Sequence, residues 1–177
     1  MSENLQLATV TDVPGLVLLR NETSRALTQQ YGVGHWTSGA TDKGVLLALR
    51  MASVYVVRDQ GRIIASVTLA TKKPWAIDTK YFSPARTPLY LTSMAVAPDL
   101  QRSGIGRRCL QEVVPIAAHW PADAIRLDAY AAEVGAGEFY RKCGYREVGR
   151  ATYRDTPLIY FEMLIDRSTS GTPQQKL

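Results

Sequence analysis

Residues 101–108 read Gln101-Arg102-Ser103-Gly104-Ile105-Gly106-Arg107-Arg108, and this octet decides how the chain folds. Its two glycines let the backbone come close to another group. A helix that begins here turns several unpaired N–H groups, and the positive end of its dipole, toward one point. Three arginines add formal positive charge at the same place. The octet therefore predicts a binding site for a phosphate or pyrophosphate.

The flanks of the octet predict a strand before it and a helix after it. Residues 90–97 are apolar at most positions, as expected of a central strand, and Pro98 ends that strand because proline cannot donate to a sheet ladder. Beyond the octet, apolar residues recur at helical spacing, so one face of the helix packs on the sheet. These residues are Ile105, Cys109, Leu110, Val113 and Ala117.

Three phosphate-loop motifs compete for this strand, turn and helix. The dinucleotide fingerprint G-x-G-x-x-G requires a glycine where Cys109 stands, and the loop G-x-x-x-x-G-K-[ST] occurs nowhere in the chain. The third motif, Gln/Arg-x-x-Gly-x-Gly after a strand that ends in Val-x-Pro, fits Val96 to Gly106 without a mismatch. This stretch resembles the coenzyme A pyrophosphate loop of the GNAT N-acetyltransferase superfamily.

A second motif resembles another signature of the same family. A strand from Ile125 is followed by Ala-x-x-Phe-Tyr, which ends at Phe139-Tyr140, and then by Lys-x-Gly-aromatic, which ends at Gly144-Tyr145. Gly144 is placed to end the helix with a positive φ, and Tyr145 starts the next strand. Two motifs in the family's order are far more specific than either alone.

The resemblance implies one α/β domain over residues 1–166, followed by a polar, disordered tail over residues 167–177. The expected architecture is a mixed, twisted sheet of about six or seven strands with helices on both faces. The sequence pattern supports it with a strand at 5–10, a helix from Asp12, a helix at 41–50, a hairpin around 59–62 and two closing strands near 145–151 and 158–165.

By the same resemblance, the chain is expected to be an acetyl-CoA-dependent N-acetyltransferase that acts on a primary amine of a small molecule by direct attack. An acetyltransferase of protein N-termini or lysines is the first alternative, and a non-catalytic acyl-CoA-binding sensor is the second. Tyr140 is expected to protonate the departing thiolate, or else to be only a packed aromatic residue. The Val96 N–H is expected to face the thioester oxygen. The residues expected to bind the cofactor are Met94, Ala95, Val96, Gln101, Arg102, Ser103, Gly104, Ile105, Gly106 and Arg107.

The general base is left open by the sequence. Tyr90 stands where some family members carry a glutamate on the central strand, and Glu133 stands where the family often has an asparagine. Glu133, Glu22, His35 and Asp78 are all candidates, and so is a chain of water molecules to bulk solvent. His35 has a suitable ordinary pKa near 6.5.

Two segments interrupt the regular pattern and are expected on the acceptor side. They are Tyr31 to Trp36 and Lys72 to Pro88. A loop as long as the second is typical of a lid or a binding loop. The alternative is an ordinary surface loop whose aromatic residues pack on the core.

Composition excludes several other classes of protein. The 177 residues carry a net charge of +5 with 46% hydrophobic and 21% charged residues, as in an ordinary globular domain. No basic run with interleaved aromatics indicates nucleic-acid binding, and no apolar segment is long enough for a membrane span. Two cysteines, Cys109 and Cys143, form neither a disulfide framework nor a metal site. A cytoplasmic monomer or homodimer without a metal is expected.

Overall fold

A seven-stranded sheet runs through residues 4–166, the part of the chain that this computed structural model describes. Its strand order is β1-β2-β3-β4-β5-β7-β6, and all neighbours pair antiparallel except β4 and β5. The predicted mixed sheet is confirmed. The predicted tail, 167–177, lies outside the described residues. The strands are β1 Gln6–Leu7, β2 Ser53–Asp59, β3 Arg62–Ala70, β4 Pro88–Val96, β5 Ala124–Tyr130, β6 Arg146–Tyr153 and β7 Thr156–Leu164.

Within the described residues, four helices cover the two faces of this sheet: α1 Val13–Tyr31, α2 Asp42–Met51, α3 Ile105–His119 and α4 Gly137–Lys142. Apolar residues of α1 and α2, such as Leu16 and Val45, form one core cluster with β2 and β3. Apolar residues of α3 and α4, such as Val113 and Tyr140, form another with β4, β5 and β7. Burial of these apolar faces holds the layers together, and the prediction of helices on both faces is confirmed.

The first strand is shorter than predicted. A strand was expected over residues 5–10, but β1 ends at Leu7 and residues 10–12 form a single 3₁₀ turn. Asp12 causes the turn, because its carboxylate accepts the Thr9 N–H at 2.7 Å and pairs with Arg58 at 2.7 Å. By contrast, the predicted hairpin between β2 and β3 is present, with Gln60 and Gly61 both at positive φ.

The sheet opens between its two central strands. β4 and β5 run parallel and pair over only three residues each, Pro88 to Tyr90 with Ala124 to Arg126. Farther along, β4 carries a bulge at Ser93, whose φ is +50°, and its register against β3 shifts there. Beyond Tyr90, no strand within residues 4–166 pairs with the β5-facing edge of β4, and a cleft opens between the two strands.

The segment between β3 and β4 is anchored to the sheet by a buried ion pair. Arg126 on β5 and Glu162 on β7 are 4% and 2% exposed, and their Nε and Oε2 atoms lie 3.3 Å apart. Arg126 also donates to the Ser83 carbonyl at 2.6 Å, and Ser83 N–H donates to Glu162 at 3.3 Å. Phe82 packs against Tyr160. In the segment Lys72 to Pro88, Phe82 and Tyr81 pack on the core as in the surface-loop interpretation, whereas Trp75 is 83% exposed.

Replacement of Arg126 by methionine tests the strength of this anchor. The change leaves the Glu162 carboxylate buried, with the Ser83 N–H at 3.3 Å and the outer Arg146, as its remaining cation, at 3.4 Å. We expect the free energy of unfolding to fall by about 3–5 kcal/mol, because the buried charge of Glu162 loses the cation that compensates it. Denaturant unfolding measures this change. Arg146→Met is the matched control: that side chain is 66% exposed, so its loss should cost about 0–1 kcal/mol. Equal losses in the two variants would contradict the assignment.

Candidate active site

The predicted phosphate loop forms a tight turn before α3. Gly104 precedes the helix with a φ of +91°, and the first helical hydrogen bond runs from Arg108 N to Gly104 O at 3.0 Å. Among residues 4–166 the N–H groups of Ile105, Gly106 and Arg107 have no hydrogen-bond partner. Three donors at the positive end of α3 can therefore bind an anion.

The two glycines of the loop are needed for different reasons. A side chain at Gly104 would point into open space, so glycine serves there for its positive φ. A Cβ at Gly106 would lie 3.1 Å from Phe139 Cζ and 3.5 Å from Met94 Cε. Gly106 therefore makes room for an aromatic residue of the second motif, and the two motifs fit together at this point.

A cavity of about 660 Å³, here called the loop cavity, opens beside this turn. Eight of the ten residues predicted to bind the cofactor line it: Met94, Ala95, Val96, Gln101, Arg102, Gly104, Gly106 and Arg107. Ser103 and Ile105 do not. Ser103 donates its hydroxyl to Leu100 O at 2.6 Å, and Ile105 is buried in a core cluster with Cys109.

The loop cavity is electropositive. Arg102, Arg107 and Lys142 line it, and within the described residues no aspartate or glutamate does. Lys142 was not predicted, although it belongs to the quoted Lys-x-Gly-aromatic motif. Three cations beside three backbone donors favour a ligand with more than one phosphate charge.

A second cavity of about 510 Å³, here called the inner cavity, adjoins the first. Its walls come from one face of α1, the loop around Trp36, the bulged part of β4, the end of β5 and the segment before α4. Seven residues line both cavities, which places these residues where the two cavities meet. They are Thr23, Leu27, Met94, Ala95, Val134, Ala136 and Tyr140.

Tyr140 lies at this junction and is also a core residue. It is 7% exposed and packs against Tyr145 and Phe161. Its hydroxyl lies 4.0 Å from Met94 Sδ. Burial raises the pKa of Tyr140, and the charge of Asp128 raises it further. The phenol therefore stays protonated and can donate a hydrogen bond into either cavity.

Among the described residues, Asp128 is the one carboxylate that lines the inner cavity. It is not one of the residues predicted from the sequence. It lies on β5 at the edge of the cleft. Burial raises the pKa of Asp128, against a smaller opposing effect of its own backbone N–H. The alternation of apolar and polar side chains along β5 could have indicated Asp128 from the sequence. Ile125, Leu127 and Ala129 face the α3 side, so Asp128 and Tyr130 face the other.

None of the four side chains proposed as a general base lines either cavity. Glu22 forms an ion pair with Arg62 at 3.3 Å in a separate cavity, and Asp78 pairs with Lys80 at 2.9 Å. The His35 Nε2 lies 2.7 Å from the Thr156 hydroxyl, and Glu133 is exposed. The predicted acceptor segment at residues 31–36 does contribute, through Trp36, whereas no residue of 72–88 lines either cavity.

The Val96 N–H points toward the cleft. Ala97 N donates to Ile64 O on β3 at 2.8 Å. Because successive N–H groups of a strand point to opposite edges, the Val96 N–H faces the edge that β5 leaves unpaired. The Val96 carbonyl on that edge accepts from the Gln101 side chain at 3.3 Å. The expected orientation of this donor is thus consistent with the strand geometry.

Neither cysteine fits a nucleophilic role. Cys109 is buried, and burial raises the pKa of its thiol to about 11. Burial also raises the pKa of Cys143. Within residues 4–166, no three side chains of the types His, Cys, Asp and Glu come together as metal ligands. In the same range no helix combines the length and apolar character that crossing a membrane requires.

Comparison with known proteins adds a family and a set of similar folds. Residues 20–145 match the sequence model of the acetyltransferase (GNAT) family. The search of curated protein sequences found no significant match. A ribosomal-protein-alanine N-acetyltransferase from Brucella melitensis superposes with a TM-score of 0.69 at 17% identity, over 91% of this chain and 99% of that one.

Two further solved structures illustrate the range of similar proteins. The yncA protein of Salmonella typhimurium, solved with its cofactor acetyl-CoA, has a TM-score of 0.68 at 12% identity, over 96% of this chain and 98% of that one. An aminoglycoside 6'-acetyltransferase of type Ii has a TM-score of 0.67 at 16% identity, over 92% of this chain and 97% of that one. At these identities the structures show a shared fold alone.

Proposed function

The chain belongs to the acetyltransferase (GNAT) family, and we propose that it transfers the acetyl group of acetyl-CoA to the primary amine of a small molecule. The observation that carries this proposal is the meeting of two cavities at Tyr140. One is electropositive and ends at a helix N-terminus, whereas the other holds a single buried carboxylate. A thioester that enters from the first cavity would present its carbonyl to an amine in the second.

The loop cavity suits coenzyme A. The N–H groups at the start of α3, with Arg102 and Arg107, would bind the pyrophosphate, and Lys142 adds a third cation. The unpaired edge of β4 offers N–H and C=O groups to an extended pantetheine arm, which carries amides of its own. No metal is needed in this scheme. The reactive thioester would then lie near Val96 and Tyr140.

The reaction can be written with the residues that line the cavities. The amine nitrogen attacks the thioester carbon, and the Val96 N–H stabilises the negative charge that develops on oxygen. The nitrogen becomes strongly acidic as the C–N bond forms, so the Asp128 carboxylate can accept its proton. The C–S bond then breaks, and the Tyr140 phenol gives its proton to the departing sulfur. The proton held by Asp128 returns to the Tyr140 phenolate, directly or through water, and both groups are restored. The products are an N-acetyl amine and free coenzyme A.

The size and walls of the inner cavity support a small acceptor. A volume of about 510 Å³ is in the range of small-molecule sites, and Trp36 and Tyr130 supply aromatic walls. The similar structures include enzymes named for a ribosomal protein and for aminoglycosides, so the fold itself accommodates both classes of acceptor.

Thiol release over a panel of amines tests this proposal. We expect release that depends on acetyl-CoA with one class of small amine, at rates above those with peptides that offer an N-terminus or a lysine. Faster acetylation of peptides would favour the protein-directed alternative. Binding of acetyl-CoA without thiol release for any amine would favour a sensor.

Binding of coenzyme A alone should stabilise the fold. Ligand at a hundred times its Kd is expected to add about 2.7 kcal/mol to the free energy of unfolding, visible as a rise in Tm. Arg102→Gln and Arg107→Gln together should weaken binding at least tenfold, since each charge-assisted hydrogen bond contributes about 1.5–3 kcal/mol. Arg50→Gln, exposed on α2, is the control with unchanged binding. No rise in Tm at millimolar coenzyme A would refute the cofactor assignment.

A further inference from the structure

Arg20 lies on the wall of the inner cavity, on the far side from the phosphate loop. It shares one face of α1 with Thr23, Ser24 and Leu27, which follow it by three, four and seven residues. Thr23 and Leu27 line both cavities, whereas Arg20 lines only the inner one. At 1.5 Å per residue, Arg20 lies about 10 Å from Leu27 along the helix axis. Its guanidinium therefore marks the acceptor end of the site.

The Arg20 guanidinium lacks a partner in the part of the chain that the structure describes. Its Nε and Nη2 atoms are buried and make no hydrogen bond, Nη1 is not among the buried atoms, and the half-buried side chain forms no ion pair there. By contrast, three arginines of the sheet are paired with carboxylates: Arg58 with Asp12, Arg62 with Asp99 and Arg126 with Glu162.

An unpaired buried guanidinium is costly to the fold. Burial lowers the pKa of Arg20, and no neighbouring acid opposes the effect. An arginine nevertheless stays protonated in proteins, so the cost of its desolvation must be met by the rest of the fold. Buried donors without a partner are rare in native proteins and call for an explanation. A ligand with an acceptor group in the inner cavity would supply a partner once the side chain turns its closed nitrogens toward that cavity.

We propose that Arg20 binds a carboxylate of the acceptor, so that the substrate is a small amine that also carries a carboxylate. This inference rests on the proposed acetyl transfer. The planar fork of a guanidinium matches a carboxylate through two parallel hydrogen bonds. Among the described residues, Arg20 and Asp128 are the two charged side chains that line the inner cavity. Their opposite signs fit a zwitterion, with the carboxylate at Arg20 and the ammonium toward Asp128 and the thioester.

Paired probes test the charge preference directly. Each acid is compared, as an acetyl acceptor, with its own carboxamide. The acids are glycine, β-alanine, 4-aminobutyrate and a panel of L-amino acids. We expect kcat/KM for at least one acid to exceed that for its amide tenfold or more. Arg20→Gln should bring this ratio close to one, mainly through a higher KM for the acid. Arg25→Gln, an exposed arginine on the same helix, is the matched control and should keep the ratio.

Two outcomes would overturn the inference. One is a ratio near one in the unsubstituted protein, and the other is a preference for acids that survives in Arg20→Gln. A stronger response to 2-aminoethyl phosphate than to every carboxylate would show that the guanidinium selects a phosphate instead, and would also contradict the proposal. Acetylation of amines without any charge preference refutes this inference alone, whereas no acetylation of any amine refutes the proposed function.

A stability measurement does not depend on turnover. Arg20→Met removes an unpartnered buried charge and keeps an apolar stem of similar length, so its Tm should be higher than that of the unsubstituted protein. In the presence of coenzyme A, the preferred acid should raise the Tm of the unsubstituted protein and leave that of Arg20→Met unchanged. An equal rise in Tm on addition of the acid to both proteins would contradict a ligand-binding role for the guanidinium. So would a Tm of ligand-free Arg20→Met below that of the ligand-free unsubstituted protein.

Discussion

Asp128→Asn is expected to lower kcat/KM for the amine by a factor of about 10² to 10⁴, the range that general-base catalysis contributes. Asparagine keeps the shape of the side chain but cannot accept a proton at the reacting nitrogen. The rate is measured at saturating acetyl-CoA, so that the change reports on the amine step. Asp78→Asn is the matched control, because Asp78 lies outside both cavities and pairs with Lys80. It should leave the rate unchanged.

Two measurements on the unsubstituted protein and on Asp128→Asn, the pH dependence of activity and the stability at neutral pH, separate a catalytic from a structural role. Burial raises the pKa of Asp128, so the basic form appears only above the ordinary pKa of 3.8, and activity should rise with pH through the raised value. The sign is opposite for stability. A carboxyl with a raised folded-state pKa favours the fold at low pH, and this contribution is lost as the pH rises through that pKa. Asp128→Asn should therefore be more stable than the unsubstituted protein at neutral pH while being far less active. A variant that loses stability and activity together would indicate a structural role instead.

Tyr140→Phe is expected to lower kcat by about 10²-fold with little change in the KM for acetyl-CoA. The ring, which packs on Tyr145 and Phe161, is kept, so the variant should fold normally. The lost hydroxyl is the donor to the departing sulfur. Because burial raises the pKa of Tyr140, the phenol remains neutral throughout the working range, and the effect should not depend on pH.

Tyr145→Phe provides the matched control for this substitution. Tyr145 is a buried tyrosine in ring contact with Tyr140, its hydroxyl has no hydrogen-bond partner within the described residues, and it lines neither cavity. Its kcat should match that of the unsubstituted protein. An unchanged kcat in Tyr140→Phe, or equal losses in the two variants, would show that Tyr140 is only a packed aromatic residue.

The turn beside the loop cavity was predictable because its signals are local. A glycine with a positive φ, a helix N-terminus and clustered arginines lie within a few residues of one another, so the motif around Gly104 predicts its own geometry. The mixed sheet of about six or seven strands with helices on both faces followed from the family resemblance, whereas the order of its strands was not predicted. The second glycine was only partly understood from the sequence, because its fit against Phe139 depends on two segments that meet in the fold.

The acceptor side was not predictable in the same way. Asp128 and Arg20 are distant in sequence and meet in one cavity only because β4 and β5 separate beyond Tyr90. For residues 72–88, the sequence left a lid and a packed surface loop as alternatives. Their prolines and aromatics are typical of a lid, but the buried pair of Arg126 and Glu162 fixes this segment to the sheet through Ser83. These contacts join residues that are far apart in the sequence, so they depend on the tertiary structure and cannot be predicted from a local sequence pattern.

Incubation with isotopically labelled acetyl-CoA and the best amine of the panel tests the central claim most directly, with mass spectrometry of both the amine and the intact protein. Direct transfer predicts one labelled acetyl group on the amine nitrogen, one coenzyme A thiol released for each product, and a protein of unchanged mass. Label on Cys109 or Cys143, or bound acetyl-CoA that releases no thiol with any amine, would contradict it.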